Sequence, residues 1–233
     1  MSAVDAVVVA IPARDEELLL PACLDAVSVA VEVLREARPQ VRVCVAVALD
    51  GCTDRSGEVA AARDVACAVL PGLGVGPARD AAVALGLAAL HHPPASTTWL
   101  ACTDADTVVP SRWLLRQVMW AERGTDLVVG TAEPVGFADG DALAAWHDRH
   151  RLVEGHQHVH GANLGVRARR WRQVGGFGPL AVGEDVRLVE RVRAVTDRWV
   201  ATDTTRVRTS GRTVGRVGSG FAAYLRGLEA DTG

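Results

Sequence analysis

The chain has 233 residues, of which 49% are hydrophobic and 23% charged, and its formal net charge is −3. This length and composition are typical of one globular domain with a substantial core, and the charge gives no electrostatic reason to expect a nucleic-acid partner. All 25 basic residues are arginine, so the absence of lysine excludes Schiff-base chemistry and the lysine of a phosphate-binding P-loop.

The cysteines and the apolar runs bear on where the protein works. The five cysteines contain no C-x-x-C pair and fall mostly within apolar runs, which predicts reduced thiols in a cytoplasmic protein. The N-terminus enters a strand pattern without a basic region, and this predicts no signal peptide. The apolar runs fall short of the roughly 18 residues that a transmembrane helix needs. Peripheral contact with a membrane and the oligomeric state stay open.

The first half of the chain alternates strand-like and helix-like segments. Four strands are predicted, at 6–11, 41–49, 66–70 and 97–103. Four helices follow them, at about 16–37, within 52–63, at 77–90 and at 111–122. This alternation predicts an α/β fold whose central sheet is mostly parallel, Rossmann-like and covered by helices on both faces.

The alternation weakens after about Asp126. Strands are predicted for DLVVGT, HVHGANLGVRA and WVATD, and helices for DALAAWHDRHRLVE and EDVRLVERVRAV. Neither a repeat nor a linker divides the chain, so a single domain is predicted.

Charged or glycine-bearing turns follow each of the first four predicted strands. They are PARDEE (12–17), DGCTD (50–54), PGLGVGPARD (71–80) and DAD (104–106). Ligands of an open parallel sheet bind beyond the carboxyl ends of its strands, so the convergence of these turns predicts one binding site there.

Two carboxylates, Asp104 and Asp106, stand one residue apart at the end of the fourth predicted strand. At this spacing both can reach one hard cation, Mg²⁺ or Mn²⁺, whose other ligands are water and phosphate oxygens. A turn before the next helix is the alternative, because Asp is favoured in turns. The position in line with the other turns favours the metal.

The glycine loop of the third turn does not have the dinucleotide-binding spacing. Gly72, Gly74 and Gly76 alternate, and the loop follows the third strand rather than the first. Arg79 is expected in the first turn of the next helix, where a positive charge opposes the helix dipole. Binding of an anion explains this arginine better than helix stability does, and a surface position is the alternative.

Three further groups have a local and a functional interpretation. Glu184 and Asp185 begin a helix, where the dipole stabilises them, but one could accept the proton of an attacking hydroxyl. No second cluster completes a zinc site with the alternating histidines His156, His158 and His160, so they are interpreted as the polar lining of an acceptor pocket or as surface. The tail arginines fit a lid over phosphates or a solvated segment; they are Arg206, Arg208, Arg212 and Arg216.

Five blocks, taken in order, resemble the family 2 glycosyltransferases of the GT-A fold. They are VVVAIPARDEE, ALDGCTD, GVGPARDAAV, WLACTDADTVVPSRWL and HGANLGVRARRWRQVGGFGPLAVGEDVRLVERV. The resemblance implies a single GT-A domain over 1–233, with a nucleotide-sugar half at about 1–106, an acceptor and catalytic half at about 107–205, and a tail at 206–233 that could form a lid. It also implies inverting, metal-dependent transfer of a sugar from a nucleoside-diphosphate sugar to an acceptor hydroxyl.

The resemblance implies roles for individual residues. Those on the nucleotide-sugar side are Pro12, Ala13, Arg14, Glu16, Asp50, Arg79, Asp104 and Ala105. Asp50 would contact the base and Arg79 would approach the diphosphate. Asp104 and Asp106 would hold Mg²⁺ or Mn²⁺, and Asp185 would be the general base. Those on the acceptor side are Gly161, Ala162, Asn163 and Glu184.

Two positions depart from the family pattern. Leu49 precedes Asp50 where a second carboxylate is common, and Asp80 follows Arg79 where Asn is common, which adds negative charge near a phosphate. The Q-x-x-R-W signature of processive synthases is absent, so polymer extrusion is not expected. Two other functions stay open: a sugar-phosphate nucleotidyltransferase, disfavoured because VVVAIPARDEE has no glycine, and a non-catalytic nucleotide-sugar-binding module.

Overall fold

A computed structural model describes residues 3–136, 140–180 and 182–212, together with Leu225 and Gly227. The strands of this part of the chain are β1 Ala6–Ala13, β2 Arg42–Asp50, β3 Ala66–Leu70, β4 Thr98–Cys102, β5 Thr107–Val108, β6 Leu127–Val135, β7 Leu164–Arg167 and β8 Trp199–Ser210. Its helices are α1 Leu20–Ala37, α2 Ser56–Ala61, α3 Val75–Ala89, α4 Trp113–Glu122, α5 Gly140–Arg149, α6 Ala168–Gln173 and α7 Glu184–Arg193. A 3₁₀ turn covers Gly161–Asn163.

The strands form one sheet in the order β3-β2-β1-β4-β7-β6-β8-β5. The first four in this order are parallel, as are β6 and β8, whereas β7 runs antiparallel to both of its neighbours. The predicted mostly parallel α/β class is confirmed. Because β7 runs backwards and pairs Leu164 with Cys102 of β4, the turn before β7 lies where β1, β2 and β4 end. We call this region the carboxyl end of the sheet.

Helices cover both faces of the sheet. Along β1, the side chains of Val7, Val9 and Ile11 join one buried cluster, and those of the alternating residues join another. The first cluster includes the apolar faces of α1 and α4, and the second includes those of α3 and α7. Strands that are buried on both faces read as continuous apolar runs, which is why β1, β2 and β4 were recognisable in the sequence.

Two helices begin at positions that differ from the predictions. Helix α1 begins at Leu20 rather than Glu16. Pro21 lacks an N–H, so it is tolerated in the first turn of a helix but would remove a hydrogen bond from the interior of a helix that began at Glu16. Glu16 is therefore left on the loop after β1. Helix α3 begins at Val75, so Arg79 lies beyond the first turn, and the predicted conflict with the helix dipole was wrong.

The predicted tail does not begin at Arg206. Strand β8 continues to Ser210, because its second half pairs with β6 beyond an irregularity between Gly130 and Ala132. Arg206 and Arg208 are consequently strand residues, and Arg216 lies outside the described residues. Nearer the end of the chain, Leu225 is fully buried in a small cluster with Trp146 of α5.

Short elements escaped the sequence analysis, namely β5 and α6. No helix in the described ranges combines the length and the apolar character that crossing a membrane requires.

Candidate active site

The loops that follow β1 and β2 are joined at the carboxyl end of the sheet. The Asp15 carboxylate accepts the backbone N–H of Thr53 at 2.7 Å, and the N–H of Glu16 donates to the Ser56 hydroxyl at 2.8 Å. Ser56 is fully buried, so the second contact anchors Glu16 in the interior. The two loops therefore form one rigid wall of the site.

The end of β1 supplies the other implied nucleotide-side residues. Pro12 and Ala13 are buried at the last positions of the strand, whereas Arg14 is exposed on the loop. The carbonyl of Ala13 accepts the thiol of Cys52 at 3.4 Å. This contact adds a second link between the loops after β1 and β2.

Asp50 shapes the loop before α3. One of its carboxylate oxygens accepts the N–H groups of Gly72 and Leu73 at 3.1 and 2.6 Å, and the other accepts that of Gly74 at 2.8 Å. Gly72 and Gly74 have φ values of +91° and +99°, which glycine adopts without strain. Gly72 and Gly74, which fit no dinucleotide loop, are thus explained by a turn wrapped around a carboxylate, whereas a Cβ at Gly76 would lie 2.2 Å from the carbonyl oxygen of Gly178.

Arg79 lies at the centre of the site, with its side chain only 3% exposed. Nη2 donates to Oδ1 of Asp104 at 2.6 Å, Nη1 to the carbonyl of Gly161 at 2.9 Å, and Nε to Oε1 of Glu184 at 3.3 Å. Burial alone would lower the pKa of Arg79. The negative charges of Asp104 and Glu184 outweigh this effect and raise the pKa overall, so the guanidinium stays charged. A Cβ at Gly161 would lie 2.2 Å from Nη2, which explains the glycine there.

Asp104 and Asp106 differ in environment. The Asp104 side chain is 32% exposed, and its Oδ2 receives no hydrogen bond from the described residues. The Asp106 side chain is 16% exposed. Burial, and secondarily the charge of Asp104, raise the pKa of Asp106 to about 6. Ala105 between them is buried. Two neighbouring carboxylates, one of which is destabilised as an anion by burial, fit a hard divalent cation. The charge of such a cation would relieve their repulsion.

Arg212, just beyond the end of β8, contacts Asp106 and also Glu16. Its Nη1 donates to Oε2 of Glu16 at 2.8 Å and its Nη2 donates to Oε1, so the pair is bidentate. The same Nη2 lies 3.1 Å from Oδ2 of Asp106. The sequence had indicated Arg212 only as one of several tail arginines, and its two partners were not predicted.

Asp185 and Glu184 begin α7 after Gly183, whose φ is +76°. Oδ2 of Asp185 accepts the N–H of Gly161 at 2.7 Å, and its Oδ1 accepts the N–H of Val186 at 2.7 Å. Glu184 is buried, which raises its pKa, and the charge of Arg79 offsets part of that shift. Asp185 is partly exposed. A short chain of contacts therefore runs from Asp104 through Arg79 and Gly161 to Asp185.

Asn163 and Ala162 lie below the surface of the site. The Asn163 amide donates to the carbonyls of Thr131 and Thr205 at 2.8 and 2.7 Å, and its oxygen accepts the Trp113 indole N–H at 2.9 Å. A Cβ at Gly130 would lie 2.1 Å from the amide nitrogen. Asn163 thus joins β6, β8 and α4, whereas Gly161 is the member of the turn that contacts Arg79 and Asp185.

The histidines form a row of rings rather than a converging set. The ring centroids of His150 and His158 are 4.7 Å apart, and those of His158 and His160 are 6.3 Å apart. Burial lowers the pKa of His160 to about 3, so this ring is neutral. Within the described ranges, the group of three potential metal ligands that lies within 4.8 Å is Asp15, Cys52 and Asp54, on the linked loops.

Asp80, the second departure from the family pattern, turns away from the site. Its carboxylate accepts the Trp171 indole N–H at 2.9 Å and the N–H groups of Phe177 and Gly178 at 2.9 and 3.2 Å. Its charge therefore holds the turn between α6 and α7. A Cβ at Gly176, in this turn, would lie 2.6 Å from the same carboxylate.

A mostly parallel sheet with paired aspartates after β4 and a carboxylate at the start of α7 defines the class of GT-A glycosyltransferases. The model of glycosyl transferase family 2 matches residues 8–160. The chain belongs to this family, and its predicted resemblance and enzyme class are confirmed. No curated protein sequence matches the chain.

Two solved structures share this fold. TarS 1–349 of S. aureus, in complex with UDP-GlcNAc, is 13% identical with a TM-score of 0.64 over 93% of this chain and 61% of that one. The mannosyltransferase PcManGT from Pyrobaculum calidifontis, in complex with GDP-Man and Mn²⁺, is 18% identical with a TM-score of 0.63 over 99% of this chain and 62% of that one. The chain thus spans about three fifths of either neighbour.

Proposed function

We propose that the chain is an inverting glycosyltransferase that moves a sugar from a nucleoside-diphosphate sugar to an acceptor hydroxyl. The observation that carries this proposal is the chain of contacts from Asp104 through Arg79 and Gly161 to Asp185. In this proposal, the diphosphate lies at the Asp104 end of these contacts and the general base is Asp185 at the other end. The ligands named for TarS and PcManGT, a UDP-sugar and a GDP-sugar, support the donor class.

Asp104 and Asp106 would hold the divalent cation, Mg²⁺ or Mn²⁺. Their oxygens suit such an ion, and PcManGT was crystallised with Mn²⁺. The chemistry that a cation supplies here is positive charge against the charge that develops on the leaving diphosphate. Arg79 keeps Asp104 in place, and its guanidinium adds a second positive charge beside the predicted diphosphate position.

Asp185 would be the general base. Gly161 and Val186 each donate one N–H to a different oxygen of its carboxylate, which fixes the orientation of the carboxylate. The acceptor oxygen attacks the anomeric carbon, its proton passes to Asp185, and the carbon–oxygen bond to the diphosphate breaks with its electron pair on the diphosphate. Attack opposite the leaving group inverts the anomeric centre. General-base catalysis of this kind contributes about 10² to 10⁴ in rate.

The remaining residues implied by the family resemblance are assigned to the nucleotide side or to the acceptor side of the site. Pro12, Ala13, Arg14 and Asp50 line the nucleotide side, where Asp50 acts through the loop that it holds. Gly161, Ala162, Asn163 and Glu184 support the acceptor side. The cytoplasmic location and the lid role of the C-terminal segment stay predictions.

Donor identification and one substitution test this proposal. Thermal shifts with UDP-, GDP- and dTDP-sugars and Mn²⁺ should select one donor. Nucleoside-diphosphate release from that donor is then measured over a panel of hydroxyl acceptors. Asp185→Asn should bind the donor as the wild type does and lose at least 10²-fold in turnover. Asp197→Asn, an exposed aspartate after α7, is the control and should behave as the wild type. Equal turnover of Asp185→Asn and the control would remove Asp185 from the mechanism.

A further inference from the structure

Arg212 lies against Asp106, one of the two candidate metal ligands. Its Nη2 is 3.1 Å from Oδ2 of Asp106, and the same nitrogen also donates to Glu16. A guanidinium at this ion-pair distance from a carboxylate oxygen offsets part of the negative charge that would otherwise attract a metal ion. The protein without metal therefore has an internal positive charge on one of its two candidate ligands.

The two contacts of Arg212 are unequal. Glu16 receives both terminal nitrogens in a bidentate arrangement, whereas Asp106 receives one nitrogen that is already shared. Glu16 is also the more buried partner, at 6% side-chain exposure against 16% for Asp106. Planar bidentate pairs are the stronger ones. The contact with Asp106 is thus the one that can be lost while Arg212 stays in the site.

The rest of the site requires such a counter-charge. Five carboxylates lie together here: Glu16, Asp104, Asp106, Glu184 and Asp185. Among the described residues, Arg79 contacts Asp104 and Glu184, and Arg212 contacts Glu16 and Asp106. The Arg212 side chain is 27% exposed, so solvent reaches the guanidinium and allows it to shift. Arg79, by comparison, is 3% exposed and contacts three different segments of the chain.

We propose that Arg212 is an exchangeable counter-ion of the metal motif: its guanidinium neutralises Asp106 in the metal-free protein, a divalent cation takes over that oxygen, and Arg212 remains on Glu16 beside the cation. The inference rests on the proposed metal role of Asp104 and Asp106. It assigns a positioning role to Arg212 and makes the affinity for the cation alone depend on a competition within the chain.

Binding of Mn²⁺ alone, without nucleotide, tests this competition. Free Mn²⁺ is followed by electron paramagnetic resonance during titration of the whole chain. Arg212→Gln removes the competing charge and should tighten Mn²⁺ binding on the order of tenfold relative to the wild type. Arg208→Gln is the matched control, because it removes the same charge four positions earlier from an exposed residue of β8. It should bind Mn²⁺ as the wild type does. Unfolding curves verify that both variants are folded.

The outcomes separate this inference from the proposed function. If Arg212→Gln and Arg208→Gln bind Mn²⁺ equally, while Asp106→Asn binds none, the competition is refuted and the metal site stands. If Asp106→Asn binds Mn²⁺ as tightly as the wild type, or if no form binds it, the metal assignment and the inference are both overturned. Tighter binding by Arg212→Gln alone, together with its loss in Asp106→Asn, supports both.

Discussion

Two buried acidic groups at opposite ends of the sheet have opposite charge balances. Before β6, Asp126 is 1% exposed and accepts hydrogen bonds from Arg169, Arg170 and Arg198 at 2.8 to 3.2 Å. Burial raises the pKa of Asp126, but its arginine partners outweigh that effect and lower it overall. At the carboxyl end, the ion pairs within the described residues link Glu16, Asp104, Asp106 and Glu184 to two arginines, Arg79 and Arg212, and the pKa of Asp106 is raised to about 6.

The difference teaches how to tell a structural carboxylate from one that serves a ligand. A buried carboxylate with more positive than negative neighbours stabilises the fold without any ligand. A group of carboxylates with too few positive neighbours destabilises the fold through mutual repulsion. Binding of a cation removes this destabilisation. Burial alone does not separate Asp126 from Glu16 and Glu184, which are also buried, whereas the balance of charge does.

The largest expected effect is on activity. Asp106→Asn should lower turnover by about 10³-fold or more, because cation-assisted departure of the diphosphate contributes several kcal/mol. Its free energy of unfolding should be unchanged or higher, because one buried like charge is removed. Nucleoside-diphosphate release in the presence of Mn²⁺ and chemical denaturation provide the two readouts. Lost activity caused by lost stability would contradict the comparison.

Asp126→Asn should show the reverse pattern. Removing the charge leaves three arginines without their partner, and the expected loss is about 3 kcal/mol in the free energy of unfolding. Turnover of the folded protein should not change. Asp25→Asn is the control, since Asp25 is 68% exposed in its pair with Arg63 and should change stability little. Similar losses of stability in both variants would show that Asp126 and its three arginines stabilise the fold no more than an exposed ion pair does.

Asn163→Ala tests whether a buried neutral residue near the site stabilises the fold or serves a ligand. Three buried hydrogen-bonding groups would lose their partner, so the free energy of unfolding should fall on the order of 2 kcal/mol. Donor affinity of the folded variant should stay close to that of the wild type. A large change in acceptor KM without a loss of stability would instead place Asn163 in contact with the acceptor.

The smallest expected effect is on pH dependence. Because its folded-state pKa is raised to about 6, Asp106 binds a proton more readily in the folded than in the unfolded chain. The folded state is therefore favoured below this pKa and loses stability as the pH rises through it. Between pH 7 and pH 5 the wild type should gain on the order of 1 kcal/mol relative to Asp106→Asn. Denaturation curves of both proteins at the two pH values measure the difference, and parallel pH profiles would contradict it.

The sequence predicted the fold through its buried strands, and it predicted a site through the position of the turns that follow them. The apolar runs of β1, β2 and β4 indicated a parallel sheet, and the turns after them indicated Asp104 and Asp106. It predicted the first part of β8 as the strand WVATD but missed the second part, because a strand that ends in alternating Thr, Arg and Val reads like an exposed tail. It also could not show that Asp80 holds the turn at Phe177 and Gly178, since that contact joins positions about 100 residues apart in sequence.

Side-chain partners were the part that the sequence left undetermined. Asp50 was expected at a base but holds the loop at Gly72, and Arg79 was expected at a diphosphate but contacts Asp104, Gly161 and Glu184. Residue type and strand position predicted that these residues belong to the site. The neighbour that each one contacts depends on packing between distant segments, which no local pattern encodes.

The wide separation of the site's contacts also bears on folding. Arg79 and Glu184 are 105 positions apart, and Arg212 and Glu16 are 196 apart. Such contacts close long loops, so they form late and only when the intervening elements are in place. During synthesis, the first half of the chain can pair β1 with β2 long before Gly161 or Arg212 exists. The binding site is therefore among the last parts of the molecule to assemble.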